Sequence, residues 1–337
     1  MAKRIGKYTL QLDNPPSIIG FAGVASKKEA EGPLGKYIDI ISIDPTFGEK
    51  TWEKAESIMQ KQALTKALSK AQLAAGDLNY IFAGDLLNQC ISSTYGLRET
   101  GVPFIGLYGA CSTMAESIGL AALFVEAGFA DKAGAVTSSH FCAAERQFRF
   151  PLDYGGQRTP TAQWTVTGSG GAVVSNTPKQ APYVKAVTFG TIEDLGITDV
   201  NNMGAAMAPA AMATISNYFS DTASDANDVD LILTGDLGSV GSELLYHLME
   251  EQGYNIRSKH KDCGNLIYYA KAQDVHAGGS GCGCSATVLC SYILPQLVSG
   301  DLKNVLFVAT GALMSPTSVQ QGESIPGVAH LVHLTAQ

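Results

Sequence analysis

The sequence has little charge, and of the two signs it is short of the positive one. Only 16% of its 337 residues are charged, with 23 Lys plus Arg against 31 Asp plus Glu and a net charge of −8. A nucleic-acid surface needs a basic stripe, so a nucleic-acid partner is excluded. The shortage does not exclude small anions, which a few arginines or a helix N-terminus bind locally. Long apolar runs are missing too. The uncharged stretch from Val275 to Gly300 opens with His276 and several glycines and carries Pro295. Its apolar part is short of the roughly 20 residues a transmembrane helix needs. The N-terminus, Met-Ala-Lys-Arg with Gln11, Asp13 and Asn14 soon after, has no apolar core of a secretory signal.

The seven cysteines lack disulfide-like spacing. We read them as mostly small buried hydrophobes in a reducing, cytosolic protein. Cys282-x-Cys284 has no second CxxC or histidine pair beside it, so no metal is expected. Two separate dinucleotide-binding domains are also excluded, because no G-x-G-x-x-G follows the first strand of either half.

What is present is apolar bulk, 45% of residues, and 36 glycines beside short apolar runs. Residues 17–24 read as a strand. Trp52–Lys70 reads as a helix, with Ala55, Ile58, Met59, Ala63, Ala67 and Leu68 on one face. An acidic connection follows, then the strand Tyr80–Ala83 and Gly84-Asp85-Leu86. The second half repeats this order: a helix over Ala210–Phe219, an acidic connection, the strand Leu231–Thr234 and Gly235-Asp236-Leu237, 151 positions later. Gly109-Ala-Cys-Ser112 opens an apolar helix to about Glu126, and Cys282-Gly-Cys-Ser285 opens another to about Val298. Lys132–Ser139 and Lys303–Thr310 are matching strands. Such a long period means one duplicated fold rather than a solenoid. It predicts two α/β halves, 1–175 and 176–337, packed through buried helices that carry almost no charge. The recurrence of Asp85 and Asp236 assigns both to turns or helix caps. Gly168-Ser-Gly-Gly171 reads as a bulge or tight turn, and His330 and His333 as ordinary strand residues.

The chemistry centres on Cys111. A thiol at a helix start lies near unpaired N–H groups and the positive end of the dipole, which favour its thiolate and can also hold a carboxylate. On residues alone, a buried structural cysteine is an equally good reading.

Repeated halves with a Gly-Ala-Cys-Ser turn opening a buried helix resemble the thiolase and ketoacyl-synthase superfamily. Longer segments resemble the stage V sporulation protein AD family over essentially the whole chain: DLLNQ from Asp85, GACST from Gly109, TSSHFCAAERQFRF from Thr137, YGGQ from Tyr154 and TVTGSG from Thr165. They continue with DLGITD from Asp194, MGAAMAPA from Met203, LILTGDL from Leu231 and GGSGCGCSA from Gly278. The resemblance implies a thiolase-like five-layered α-β-α-β-α fold and a homodimer formed through a first-half strand edge.

In active superfamily members the cysteine is acylated with help from second-half His, Asn or Cys residues. Here the matching segments read Leu233-Thr234-Gly235-Asp236, Gly279-Ser280-Gly281-Cys282 and Ala309-Thr310-Gly311, with no such partner. Cys111 is therefore expected to be a vestigial nucleophile in a protein that is not an enzyme. The alternative is an acyltransferase using Cys111 with His140 or His276. The sporulation family further implies binding of dipicolinic acid (pyridine-2,6-dicarboxylate), free or as its calcium chelate, and uptake of it into the developing spore. Its expected partners are the other stage V sporulation A membrane proteins, at the spore inner membrane, and no cofactor is expected. For this flat dianion the candidate ligand set is Cys111, Ser139, His140, Arg146 and Arg149: a helix start for one carboxylate and an arginine for the other. The competing reading for the arginines is a surface or dimer salt bridge.

Overall fold

A computed structural model describes residues 2–148 and 158–337. Ten strands carry the architecture. The first five are β1 (Ser17–Ser26), β2 (Tyr80–Gly84), β3 (Phe104–Gly106), β4 (Lys132–Ser139) and β5 (Gly168–Ser175). The second five are β6 (Tyr183–Thr188), β7 (Leu231–Thr234), β8 (His260–Asp262), β9 (Asn304–Ala312) and β10 (Gly327–Thr335). In space the first set runs β1-β5-β4-β2-β3 and the second β6-β10-β9-β7-β8. The first two ladders of each set are antiparallel and the last two parallel. Five positions with the same order and polarity in both halves are the duplication in three dimensions. The two sheets touch edge to edge through the single pair Tyr183↔Ser17.

Helices complete the layers. On the outside of the first sheet lie α1 (Trp52–Lys70) and α2 (Ile91–Leu97). Between the sheets lie α3 (Thr113–Glu126) and an apolar run, Cys282–Ser299, whose first segment is Cys282–Val288. Outside the second sheet, α5 (Met203–Thr222) packs on the strands and on α6 (Gly238–Glu251). The short α4 (Phe141–Phe148) follows β4. The result is the thiolase-like α-β-α-β-α sandwich. Cys282–Ser299 is long and apolar enough to cross a membrane, but 72% of it is buried inside this fold, which is where its hydropathy is used.

Local chemistry accounts for the element ends. Thr51 caps α1 by accepting from the Lys54 amide at 3.4 Å, and Asn202 caps α5 by accepting from Ala205 at 3.3 Å. That cap starts α5 seven residues before the expected Ala210, with Pro209 inside the helix.

The Gly168–Gly171 run is neither bulge nor turn. It lies within β5, in unbroken register with β4 and with Ala25–Ala22 of β1. Its glycines are required by the layers on either side. A Cβ on Gly171 would lie 2.9 Å from the Ala63 carbonyl of α1, and one on Gly170 only 2.3 Å from the Ala286 oxygen of the central helix. Backbone has replaced side chain as the packing surface.

Gly170→Ala is therefore expected to cost at least about 2 kcal/mol in urea unfolding, as overpacking against a backbone that cannot yield. Gly76→Ala, where a Cβ meets nothing within 4 Å, is expected to change stability by no more than about 0.5 kcal/mol.

Candidate functional site

Cys111 sits in the one-turn helix Ala110–Ser112 that leads into α3. The turn is tightly tied. The Gly109 carbonyl accepts from the Ser112 amide at 3.0 Å and from its hydroxyl at 2.6 Å, and the Thr113 hydroxyl donates to Ala110 at 2.7 Å. Ala110 is held at φ +49°, a left-handed conformation that costs a non-glycine residue about 1 kcal/mol or more. Gly311, at the end of β9, lets the turn approach: a Cβ there would lie 2.3 Å from the Gly109 oxygen and 3.2 Å from the Cys111 amide.

Over Cys111 opens a cavity. Leu86, Phe148, Met203, Met207 and Met314 give it an apolar wall, and Tyr108, Glu145, Thr165 and Ser280 supply polar atoms. The Thr165 hydroxyl donates to Glu145 at 2.9 Å.

Behind the thiol lies Asp236. Its carboxylate accepts from the Thr310 hydroxyl at 2.8 Å, the Gly281 amide at 2.8 Å and the Ser280 hydroxyl at 3.0 Å. These groups come from the three segments in which His, Asn and Cys partners are absent. The segments do converge on Cys111, but they bring an acid and its donors instead of a base.

Asp236 was expected to be a turn or cap residue, and this is corrected. Asp85 does fill that role, accepting from Leu87 at 2.9 Å and from the amide and hydroxyl of Ser93 at 2.8 and 2.6 Å. In the second half the equivalent turn is held by Asp262, from the neighbouring strand, which accepts from the Leu237 and Gly238 amides at 2.8 and 3.0 Å. Asp262 thereby frees Asp236 for its bonds to Thr310, Ser280 and Gly281.

The electrostatics disfavour a thiolate. Burial pushes the Cys111 thiol well above its ordinary range, and the Asp236 carboxylate pushes it further. Burial also raises Asp236, against the hydrogen bonds that favour its charge. Burial, the largest of these causes, therefore outweighs the dipole on which the thiolate expectation rested.

Of the candidate ligand residues described here, only Cys111 lines the cavity. The Ser139 hydroxyl is buried behind it, donating to the Val166 carbonyl at 2.7 Å and accepting from the Gly283 amide at 3.1 Å. His140 faces away: Nε2 is 2.9 Å from the Pro45 carbonyl and Nδ1 accepts from the Cys142 amide at 3.2 Å. Burial lowers its pKa, so it is a neutral structural imidazole. Arg146 pairs with Glu53 outside the cavity wall. Arg149 lies outside the described residues. His276, the other histidine of the acyltransferase alternative, pairs with Asp274 at 3.2 Å and is absent from the cavity wall. His333 bonds the Tyr218 hydroxyl at 2.8 Å, an ordinary buried role. No cluster of three or more metal-ligating side chains occurs among the described residues.

The fold and the cysteine turn together define a condensing-enzyme-like protein. The structure aligns with 3-oxoacyl-[acyl-carrier-protein] synthase III from Aquifex aeolicus at a TM-score of 0.59 and 15% identity, covering 95% of this chain and 99% of that one. A variant of OleA from Xanthomonas campestris gives a TM-score of 0.60 at 14% identity, covering 96% and 99%. At that identity the likeness is one of fold alone. Residues 6–335 match the family Stage V sporulation protein AD. The member from Bacillus subtilis (strain 168) is 47% identical over 328 residues, 97% of this chain and 96% of that one. The chain belongs to the stage V sporulation protein AD family.

Asp262 gives the site a measurable pH signature. Burial raises its carboxyl from 3.8 to about 7. Between those values the folded state holds a proton that the unfolded chain has lost, so this contribution to stability falls as pH rises from about 4 to about 7. Asp262→Asn imitates the protonated form at every pH. The stability advantage of wild type over this variant is expected to shrink by about 1 kcal/mol or more between pH 5 and pH 8 in urea titrations.

Proposed function

We propose that this sporulation protein is a non-catalytic binder of dipicolinic acid. In this reading it holds the ligand over Cys111 and takes part in its uptake into the developing spore with the stage V sporulation A membrane proteins. The observation that carries the non-catalytic part is the lining of the cavity over Cys111, in which no histidine or asparagine occurs among the described residues. A condensing enzyme needs such groups to activate the thiol and stabilise a carbanion. Family membership supports the sporulation role. The cavity supports a flat ring: Phe148 and the three methionine thioethers offer an apolar slot, and Tyr108 offers a hydroxyl to a carboxylate.

The revised ligand set is Cys111, Tyr108 and the methionines, without Ser139, His140, Arg146, Thr165 or Ser280, whose bonds are made elsewhere. Calcium supplies the counter-charge to both carboxylates in the chelate. Calorimetric titration with pyridine-2,6-dicarboxylate, with and without calcium, is expected to give saturable heat. Its 3,5-isomer, whose carboxylates diverge, is expected to give none. Equal heats for the two isomers, or no heat from either, would end the specific-binder reading.

The same reading includes a homodimer through β3. This strand ends the first sheet, and Phe104 and Tyr108 beside it are 39% and 44% exposed with no charge among its residues. The equivalent edge β8 carries the exposed Lys261, a usual guard against pairing. Sedimentation is expected to show a dimer that Phe104→Asp converts to monomer; a monomeric wild type would remove the dimer from the proposal.

A further inference from the structure

A second cleft, of about 440 Å³, opens beside α5 on the outer side of the second sheet and shares no lining residue with the cavity over Cys111. Its size suits a small molecule. A bulge builds its polar end. The register of β6 against β10 slips between Val184 and Ala186, so Lys185 and Ala186 together oppose His333. In an unbroken strand successive side chains leave opposite faces, and Lys185 would point away from Ala186. At the bulge both line the cleft.

His333 carries an unmet hydrogen bond. The contact with the Tyr218 hydroxyl at 2.8 Å accounts for one ring nitrogen, Nδ1. The phenol is the stronger acid of the two, so it is assigned as the donor and the ring proton sits on Nε2. The ring is 6% exposed and lines the cleft, and its Nε2 has no hydrogen-bond partner among the described residues. Leaving a buried donor unmet costs about 1–3 kcal/mol, which an acceptor on a ligand would remove.

Two exposed charges of opposite sign also line the cleft, Lys185 and Asp228, and no ion pair joins either of them among the described residues. Asp228 gives one oxygen to the Asp225 amide at 2.9 Å and keeps the other. Asp221, the remaining acid, is committed to the Lys7, Tyr8 and Thr9 amides at 2.9, 2.8 and 2.8 Å. Ile5 and Val229 supply an apolar wall.

We propose that this cleft binds a zwitterionic aliphatic amino acid. Its carboxylate meets the Lys185 ammonium and the His333 Nε2–H, its ammonium meets Asp228, and its side chain lies against Ile5 and Val229. A dicarboxylate lacks the positive group that Asp228 calls for, so this site differs in chemistry from the one over Cys111.

The probe is L-leucine, titrated into the full chain and followed by saturation-transfer NMR and by the imidazole signals of 15N-histidine-labelled protein. Saturable binding is expected, with the His333 Nε2 signal moving at the same midpoint. Two analogues carry one charge each: 4-methylpentanoate lacks the ammonium and 3-methylbutylamine lacks the carboxylate. Each is expected to bind at least about fivefold more weakly, the contribution of one partly exposed charge pair. Lys185→Met is expected to weaken leucine by about the same factor and to leave 3-methylbutylamine unchanged. Asp228→Asn, which keeps the oxygen that accepts from Asp225, is expected to weaken leucine likewise and to leave 4-methylpentanoate unchanged.

Absence of saturable leucine binding overturns the proposal, as does a leucine affinity that neither substitution changes. Equal affinity for leucine and 4-methylpentanoate overturns it in favour of a plain carboxylate site. Displacement of leucine by pyridine-2,6-dicarboxylate would merge the two sites and sink it as well.

Discussion

Two helices start at the centre of this molecule, and how closely their first turns approach sheet backbone constrains everything else. A Cβ on Gly283 would lie 2.2 Å from the Gly168 oxygen, and one on Gly311 would lie 2.3 Å from the Gly109 oxygen. At such separations a side chain has no place, so glycine is fixed by contact rather than by turn geometry. A buried helix start also leaves amides that water cannot reach, and each unpaired one costs about 1–3 kcal/mol. Ser139 meets that demand at Gly283, and the Gly281 carbonyl meets it at Cys284. A serine that looks like a ligand in the sequence is thus committed to holding the central layer together.

The second constraint is electrostatic. Glu29, Glu56, Asp85, Asp236 and Asp262 are all buried and all shifted upward, with burial as the largest cause in each. Such an interior disfavours charge on its acids and thiols alike. It is a poor place to generate a thiolate, which agrees with the proposed non-catalytic reading.

The architecture was legible because its signals are local and occur twice. Strand runs, the 3.6-residue spacing in Trp52–Lys70, and the paired Gly-Asp-Leu and Cys-Ser turns each identify an element from nearby residues. Their repetition then gives the layers. The site was legible only as a set of segments. Thr137–His140 does end beside the Cys111 layer, but sequence does not say which way a side chain leaves a strand end, and His140 leaves toward Pro45. Arg146 was read as charge near the site, when its helix directs it to Glu53. Met203, Met207 and Met314 line the cavity from positions more than 90 residues from Cys111, so no spacing near the cysteine points to them.

Asp236 shows why local identity misleads in a duplicated fold. Gly84-Asp85-Leu86 and Gly235-Asp236-Leu237 follow the same strand in the same position, so the same role was the natural inference. What differs is a residue 26 positions later: Asp262, on the adjacent strand, takes over the turn amides. Once a neighbour supplies the cap, the original aspartate is free to bond whatever lies on its other side, here the Thr310 and Ser280 hydroxyls and the Gly281 amide. Duplication provides spare copies of a structural residue, and long-range replacement of its duty frees one copy for other bonds. The same five layers can then carry different sites, because a fold does not fix the chemistry grafted on it.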